Sequence, residues 1–116
     1  MASVLVVEDE PLIAMMIEEW LEELGHQSIG PAASVREGLK LLETRDFDAA
    51  LLDVNLGDER SDAIADILAA RNIPFALMTG GMTDALIERF SSKPHLMKPF
   101  NFERVSEIVD ALTKGS

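Results

Sequence analysis

Four short apolar runs punctuate the chain, and each is closed by a charged or hydroxyl side chain. Val4-Leu5-Val6-Val7 leads into Glu8-Asp9, and Ala49-Ala50-Leu51-Leu52 leads into Asp53. Phe75-Ala76-Leu77-Met78 leads into Thr79, and Leu96-Met97 into Lys98-Pro99. Short continuous apolar runs fit strands buried on both faces, as in a parallel sheet. They predict strands over about Ser3 to Glu8, Asp48 to Asp53, Pro74 to Met78 and His95 to Met97. A further short strand is predicted near Gln27 to Pro31.

Between these runs the apolar positions change to helical spacing. Pro11 suits the first turn of a helix, and Asp9 is expected to act as its N-cap. Leu12, Ile13, Met16, Ile17, Trp20, Leu21 and Leu24 make its stripe, and Gly25 is a natural stop. Ser34 with Glu37 forms a capping box for a second helix carrying Val35, Leu39, Leu41 and Leu42. A loop from Asn55 to Arg60 precedes a third helix over Ser61 to Arg71, with Ala63, Ile64, Ile67 and Leu68 on its buried side. Thr83 caps a short fourth helix ending near Phe90, and a fifth follows Asn101 with Val105, Ile108, Val109 and Leu112. Strands alternating with helices predict an α/β fold, five parallel strands covered on both faces. The carboxyl ends of such strands form the rim where ligands bind. Glu8, Asp9, Asp53, Thr79 and Lys98 all fall on that rim.

The bulk composition narrows the picture. A chain of 116 residues with 47% hydrophobic content fits one domain with a proper core. The absence of cysteine excludes a disulfide framework and thiolate-bound zinc. The longest apolar run is too short to span a membrane, and no signal-peptide pattern opens the chain. A cytoplasmic location is expected. The net charge of −11 argues against nucleic acid as a partner. Much of it belongs to solvated helix face such as Glu18, Glu19, Glu22 and Glu23; a divalent cation would offset what gathers at the rim.

Four stretches, in this order, carry a resemblance: Val6-Val7-Glu8-Asp9-Glu10-Pro11, Leu51-Leu52-Asp53-Val54-Asn55-Leu56, Met78-Thr79-Gly80 and Met97-Lys98-Pro99-Phe100. Each is weak alone. Together they resemble the receiver domains of bacterial response regulators, over essentially the whole chain. The resemblance implies a doubly wound sheet in the order 2-1-3-4-5 and a receiver domain over residues 1–116 with no attached output domain. It implies Asp53 as phosphoacceptor, Thr79 and Lys98 as phosphoryl-contacting groups, and a cis bond before Pro99. It also implies Mg2+ on Glu8, Asp9, Asp53 and the Asn55 carbonyl, with Glu8 acting mainly through water. The partner would be a sensor histidine kinase or histidine phosphotransferase, with a protein as the downstream target.

A narrower resemblance links Asp53-Val54-Asn55-Leu56-Gly57 and Ile73-Pro74-Phe75-Ala76-Leu77-Met78-Thr79-Gly80-Gly81 to single-domain receivers with a Phe-Ala-Thr-Gly-Tyr-like motif, found in alphaproteobacterial phosphorelays. The chain departs from that motif at Leu77-Met78 and at Gly81. His95 stands where many receivers carry an aromatic switch residue, and a plain strand-end histidine is an equal reading. His26 is expected to be solvated.

Other chemistries fit less well. Asp53 to Ile64 begins like a calcium loop but lacks the glycine and the terminal glutamate that such loops need. Haloacid-dehalogenase phosphatases want a second acid where Asn55 stands. Two alternatives remain: a binding module that works without phosphorylation, and a small Mg2+-dependent phosphohydrolase.

Overall fold

The structure, a computed structural model, describes residues 2–80 and 85–114. The chain runs β1 (Ser3–Val7), α1 (Pro11–Glu23), β2 (Gln27–Ala32), α2 (Val35–Thr44), β3 (Ala49–Asp53), β4 (Asn55–Leu56), β5 (Glu59–Arg60), α3 (Asp62–Ala70), β6 (Phe75–Thr79), α4 (Ala85–Arg89), β7 (His95–Met97) and α5 (Phe102–Thr113). Five strands make one parallel sheet in the order β2-β1-β3-β6-β7. Counting only those strands along the chain, the order is 2-1-3-4-5, the flavodoxin-like winding.

Strand side chains alternate between the two faces, and this sorts the apolar runs into two cores. Val4, Val6, Leu51 and Met78 meet Ile17 and Leu21 of α1 and Val105, Ile108 and Val109 of α5. Leu5, Leu52, Phe75 and Leu77 meet Leu42 of α2, Ile64 and Leu68 of α3 and Leu86 of α4. Both faces of the central strands are therefore dry, which is why those runs show no polar alternation.

Helix ends follow local chemistry. Ser34 accepts from the Glu37 amide at 3.1 Å, and Asn101 accepts from the Arg104 amide at 2.9 Å. Gly25 takes φ 86° just past α1. The expectation for Asp9 fails: the N-cap of α1 is Glu10, extended at φ −86° and ψ 111°, and its side chain makes no cap bond. A residue before proline is held out of helical conformation, so Pro11 puts the boundary at Glu10 and leaves Asp9 one residue too early.

Other expectations are corrected by packing. Leu12 is 64% exposed, because Ile17 and Leu21 face the sheet and Leu12 lies off that line. In α3, Ala63 is exposed and Ala65 is buried beside Ile64 and Leu68. His26 is not merely solvated; its Nδ1 accepts from the Ala2 amide at 3.0 Å. The loop from Asn55 to Arg60 is an antiparallel ribbon, Asn55 opposite Arg60 and Leu56 opposite Glu59, turning at Gly57 with φ 62°. Thr83 lies outside the described residues.

β2 carries an irregularity against β1, where Leu5 pairs with Ile29 and Val7 with Ala32. Gly30 sits there at φ 102°. A Cβ on it would come within 2.8 Å of Ala32 N and 2.9 Å of Val6 O, so glycine is required both by conformation and by space. The Lys98-Pro99 bond is cis as expected, and so is Gly30-Pro31.

Candidate functional site

The winding brings the carboxyl ends of β1, β3, β6 and β7 to one rim, and the site assembles there. Glu8 and Asp9 follow β1, Asp53 ends β3 and Thr79 ends β6. Met97 pairs with Thr79, so the next residue, Lys98, emerges beside it; its amide donates to Thr79 O at 2.8 Å. Glu8, Asp53 and Thr79 are all buried.

Lys98 Nζ donates to Asp53 Oδ2 at 2.9 Å. The same ammonium lies 3.0 Å from Glu8 Oε1, but off hydrogen-bond direction, so Oε1 is buried without a hydrogen-bond partner among the described residues. Glu8 Oε2 accepts from the Glu10 amide at 3.1 Å, and Asp53 Oδ1 accepts from the Asn55 amide at 3.2 Å. One carboxylate oxygen from each of Glu8, Asp9 and Asp53 lies within 4.8 Å of the others.

Three carboxylates around one ammonium leave the pocket short of positive charge. Burial first, then the neighbouring Asp53 carboxyl, pushes the Glu8 pKa up from 4.5 to about 7, against the Glu10 amide and Lys98, which pull it down. Burial pulls Lys98 downward, but Asp53 and Glu8 outweigh it and leave the ammonium raised above its ordinary value. An all-oxygen donor set, with a buried carboxylate oxygen that accepts no hydrogen bond among the described residues, fits a small hard cation of the Mg2+ type.

The structure thus brings together Glu8, Asp9, Asp53 and Lys98, with the Asn55 amide on Asp53 and Thr79 on the neighbouring strand end. His95 lies three residues before Lys98 on β7, partly buried, its Nε2 enclosed without a partner among the described residues. Sequence pattern presents Ser61 only as the start of a helix. It is fully buried, and its hydroxyl turns inward to Val54 O at 3.0 Å instead of capping α3. No periodicity marks that role.

A doubly wound five-stranded sheet with this acidic rim and its lysine defines a class, and the chain belongs to it: residues 4–110 match the response regulator receiver domain family. Among solved structures, SdrG from Sphingomonas melonis Fr1 superposes with a TM-score of 0.85 at 46% identity, over 97% of this chain and 96% of that one. The BeF3-activated conformation of SdrG gives a TM-score of 0.80 at 46% identity, over 96% of this chain and 95% of that one. The phyllosphere-induced regulator PhyR of Methylorubrum extorquens is 36% identical over 116 residues, covering 92% of this chain and 42% of that protein. The chain spans about half the length of the curated relatives it matches. It is a bacterial-type receiver domain of the two-component response regulators. No helix among the described residues is long and apolar enough to cross a membrane.

Proposed function

We propose that this receiver, acting as one unit over residues 1–116, takes a phosphoryl group onto Asp53 from the phosphohistidine of a sensor histidine kinase or histidine phosphotransferase. The observation that carries the reading is the convergence of the buried Asp53 and Glu8 with Asp9 and Lys98 in one oxygen-rich pocket. An oxygen of the Asp53 carboxylate forms the new O–P bond while the N–P bond of the donor breaks. The bond pair stays on the imidazole, which takes a proton from solvent. Hydrolysis later returns Asp53 and inorganic phosphate.

Lys98 offsets the charge of a phosphoryl oxygen as a point charge, and the Thr79 hydroxyl donates to another. Glu8, Asp9, Asp53 and the Asn55 carbonyl would hold Mg2+, which lowers the repulsion between the carboxylate and the incoming anion. Positioning and charge stabilisation do most of the work in such transfers, so the catalytic character is limited to the protein's own phosphorylation and dephosphorylation. The signal then passes by protein contact, or the domain drains phosphoryl groups from the relay. The acidic balance favours a cytoplasmic protein target over nucleic acid.

Intact-mass spectrometry after incubation with acetyl phosphate and Mg2+ tests the reading. A labile phosphoryl adduct on wild type that is missing from Asp53→Asn supports it. A null result points to a binding module, and continuous phosphate release at high turnover points to a phosphohydrolase.

A further inference from the structure

The Asp53 carboxylate is oriented by one peptide group, and that group is itself held from behind. Its N–H end, Asn55 N, donates to Asp53 Oδ1 at 3.2 Å. Its carbonyl end, Val54 O, accepts from Ser61 Oγ at 3.0 Å and from Ser61 N at 3.3 Å. The Val54 amide is fixed too, donating to Met78 O at 3.0 Å. Val54 and Ser61 are both buried, so water does not compete for these bonds.

The Ser61 hydroxyl is directed to this carbonyl and not to the helix that Ser61 begins. Ser61 is the N-cap residue of α3, yet it makes no side-chain cap bond, although serine is among the preferred capping residues. Its hydroxyl goes to the Val54 carbonyl instead, which the Ser61 amide already satisfies in part. The ribbon between them makes the arrangement possible: the turn at Gly57 and the Asn55–Arg60 pairing bring residue 61 back under residue 54.

We infer that Ser61 is a positioning residue for phosphorylation, acting on Asp53 through the Val54–Asn55 peptide. The relay runs from the Ser61 hydroxyl to the Val54 carbonyl, then from the Asn55 amide to Asp53 Oδ1. Hydrogen bonds in such a chain polarise one another, so the hydroxyl both fixes the peptide plane and strengthens the Asn55 donor. With Oδ1 held there and Oδ2 on Lys98, the carboxylate plane is set before any donor arrives. Small errors in the alignment of a nucleophile are costly to rate.

This inference rests on the reading of Asp53 as phosphoacceptor, and the experiment separates the two. Phosphoryl uptake from acetyl phosphate with saturating Mg2+ is timed for wild type, Ser61→Ala, Ser61→Thr and Leu112→Ala. The last removes core volume far from the site and controls for lost stability. In parallel, two-dimensional 15N–1H spectra follow the Asn55 amide without any phosphoryl donor. Uptake at least tenfold slower in Ser61→Ala, wild-type uptake in Leu112→Ala and partial recovery in Ser61→Thr are expected. The Asn55 proton should move upfield in Ser61→Ala and stay near its wild-type position in Ser61→Thr. Equal uptake in Ser61→Ala and wild type, or equal slowing in Leu112→Ala, overturns the inference. If wild type forms no adduct, the phosphoacceptor reading fails instead; an unmoved Asn55 resonance in Ser61→Ala then still overturns the relay.

Discussion

Lys98 Nζ meets Asp53 Oδ2 at 2.9 Å across 45 residues of chain. The contact joins the last strand of the sheet to its middle strand, so it forms only when the winding is complete. The ammonium also faces Glu8. One cation therefore serves two buried carboxylates, and removing it leaves both without a counter-charge.

Lys98→Met keeps volume and deletes the charge. Leaving buried charged groups unpaired costs on the order of 1–3 kcal/mol, moderated here because the lysine is partly exposed. Urea midpoints at pH 8 without metal should fall accordingly, and phosphoryl uptake should slow sharply. An unchanged midpoint would show that the ion pair adds nothing to the fold.

Glu8 makes the metal-free protein pH-sensitive. Its pKa rises from 4.5, the ordinary value that an unfolded chain keeps, to about 7 on folding, so between those values the folded state holds an additional proton. That contribution to stability is complete below the lower value and is lost as pH rises through the upper one. Wild type should lose stability between about pH 4.5 and about pH 7 relative to Glu8→Gln, in which the titration is absent. Parallel curves for the two proteins would refute the shift.

Mg2+ held at this site, as proposed, would compete with the same proton. Affinity measured by calorimetry should rise with pH through about 7, where Glu8 ionises in the folded state. Flat affinity across that range would remove Glu8 from the metal's surroundings.

Asp9 makes no cap for α1, so its charge is free for the metal. Asp9→Asn should weaken Mg2+ binding at least tenfold while changing stability by no more than about 0.5 kcal/mol, the range of ordinary surface substitutions. Trp20 offers the readout, because its ring meets Phe100 edge-on at 6.4 Å and Phe102 at 6.2 Å. Phe100 is two residues beyond Lys98, so metal binding should alter the indole emission. If Asp9→Asn and wild type titrate alike, the metal assignment is lost.

Gly30→Ala puts a Cβ against two backbone atoms at a positive φ. Strain of this kind costs on the order of 1–3 kcal/mol. Thermal unfolding should show that loss with phosphoryl uptake largely intact at low temperature, since β2 meets the rim only through Ala32 O, which accepts from the Glu8 amide at 2.9 Å. A variant as stable as wild type would mean that the bulge can relax.

Much of this molecule is written locally. The apolar runs of β1, β3 and β6, the Ser34 cap and the Gly25 stop each depend on neighbours a few residues away, and pattern alone reveals them. The residues that end those runs are legible too, because parallel strands deliver their last side chains to one rim. What tertiary structure decided are the relationships that cross the chain. That Lys98 meets Asp53 follows from the sheet order, and the rise of the Glu8 pKa follows from burial beside Asp53. Asp9 has the chemistry of a cap, but Pro11 sets the boundary at Glu10. Ser61 has the chemistry of a helix start, but the ribbon folds it beneath Val54. A hydroxyl has no periodicity, and its partner is fixed only by where the backbone returns.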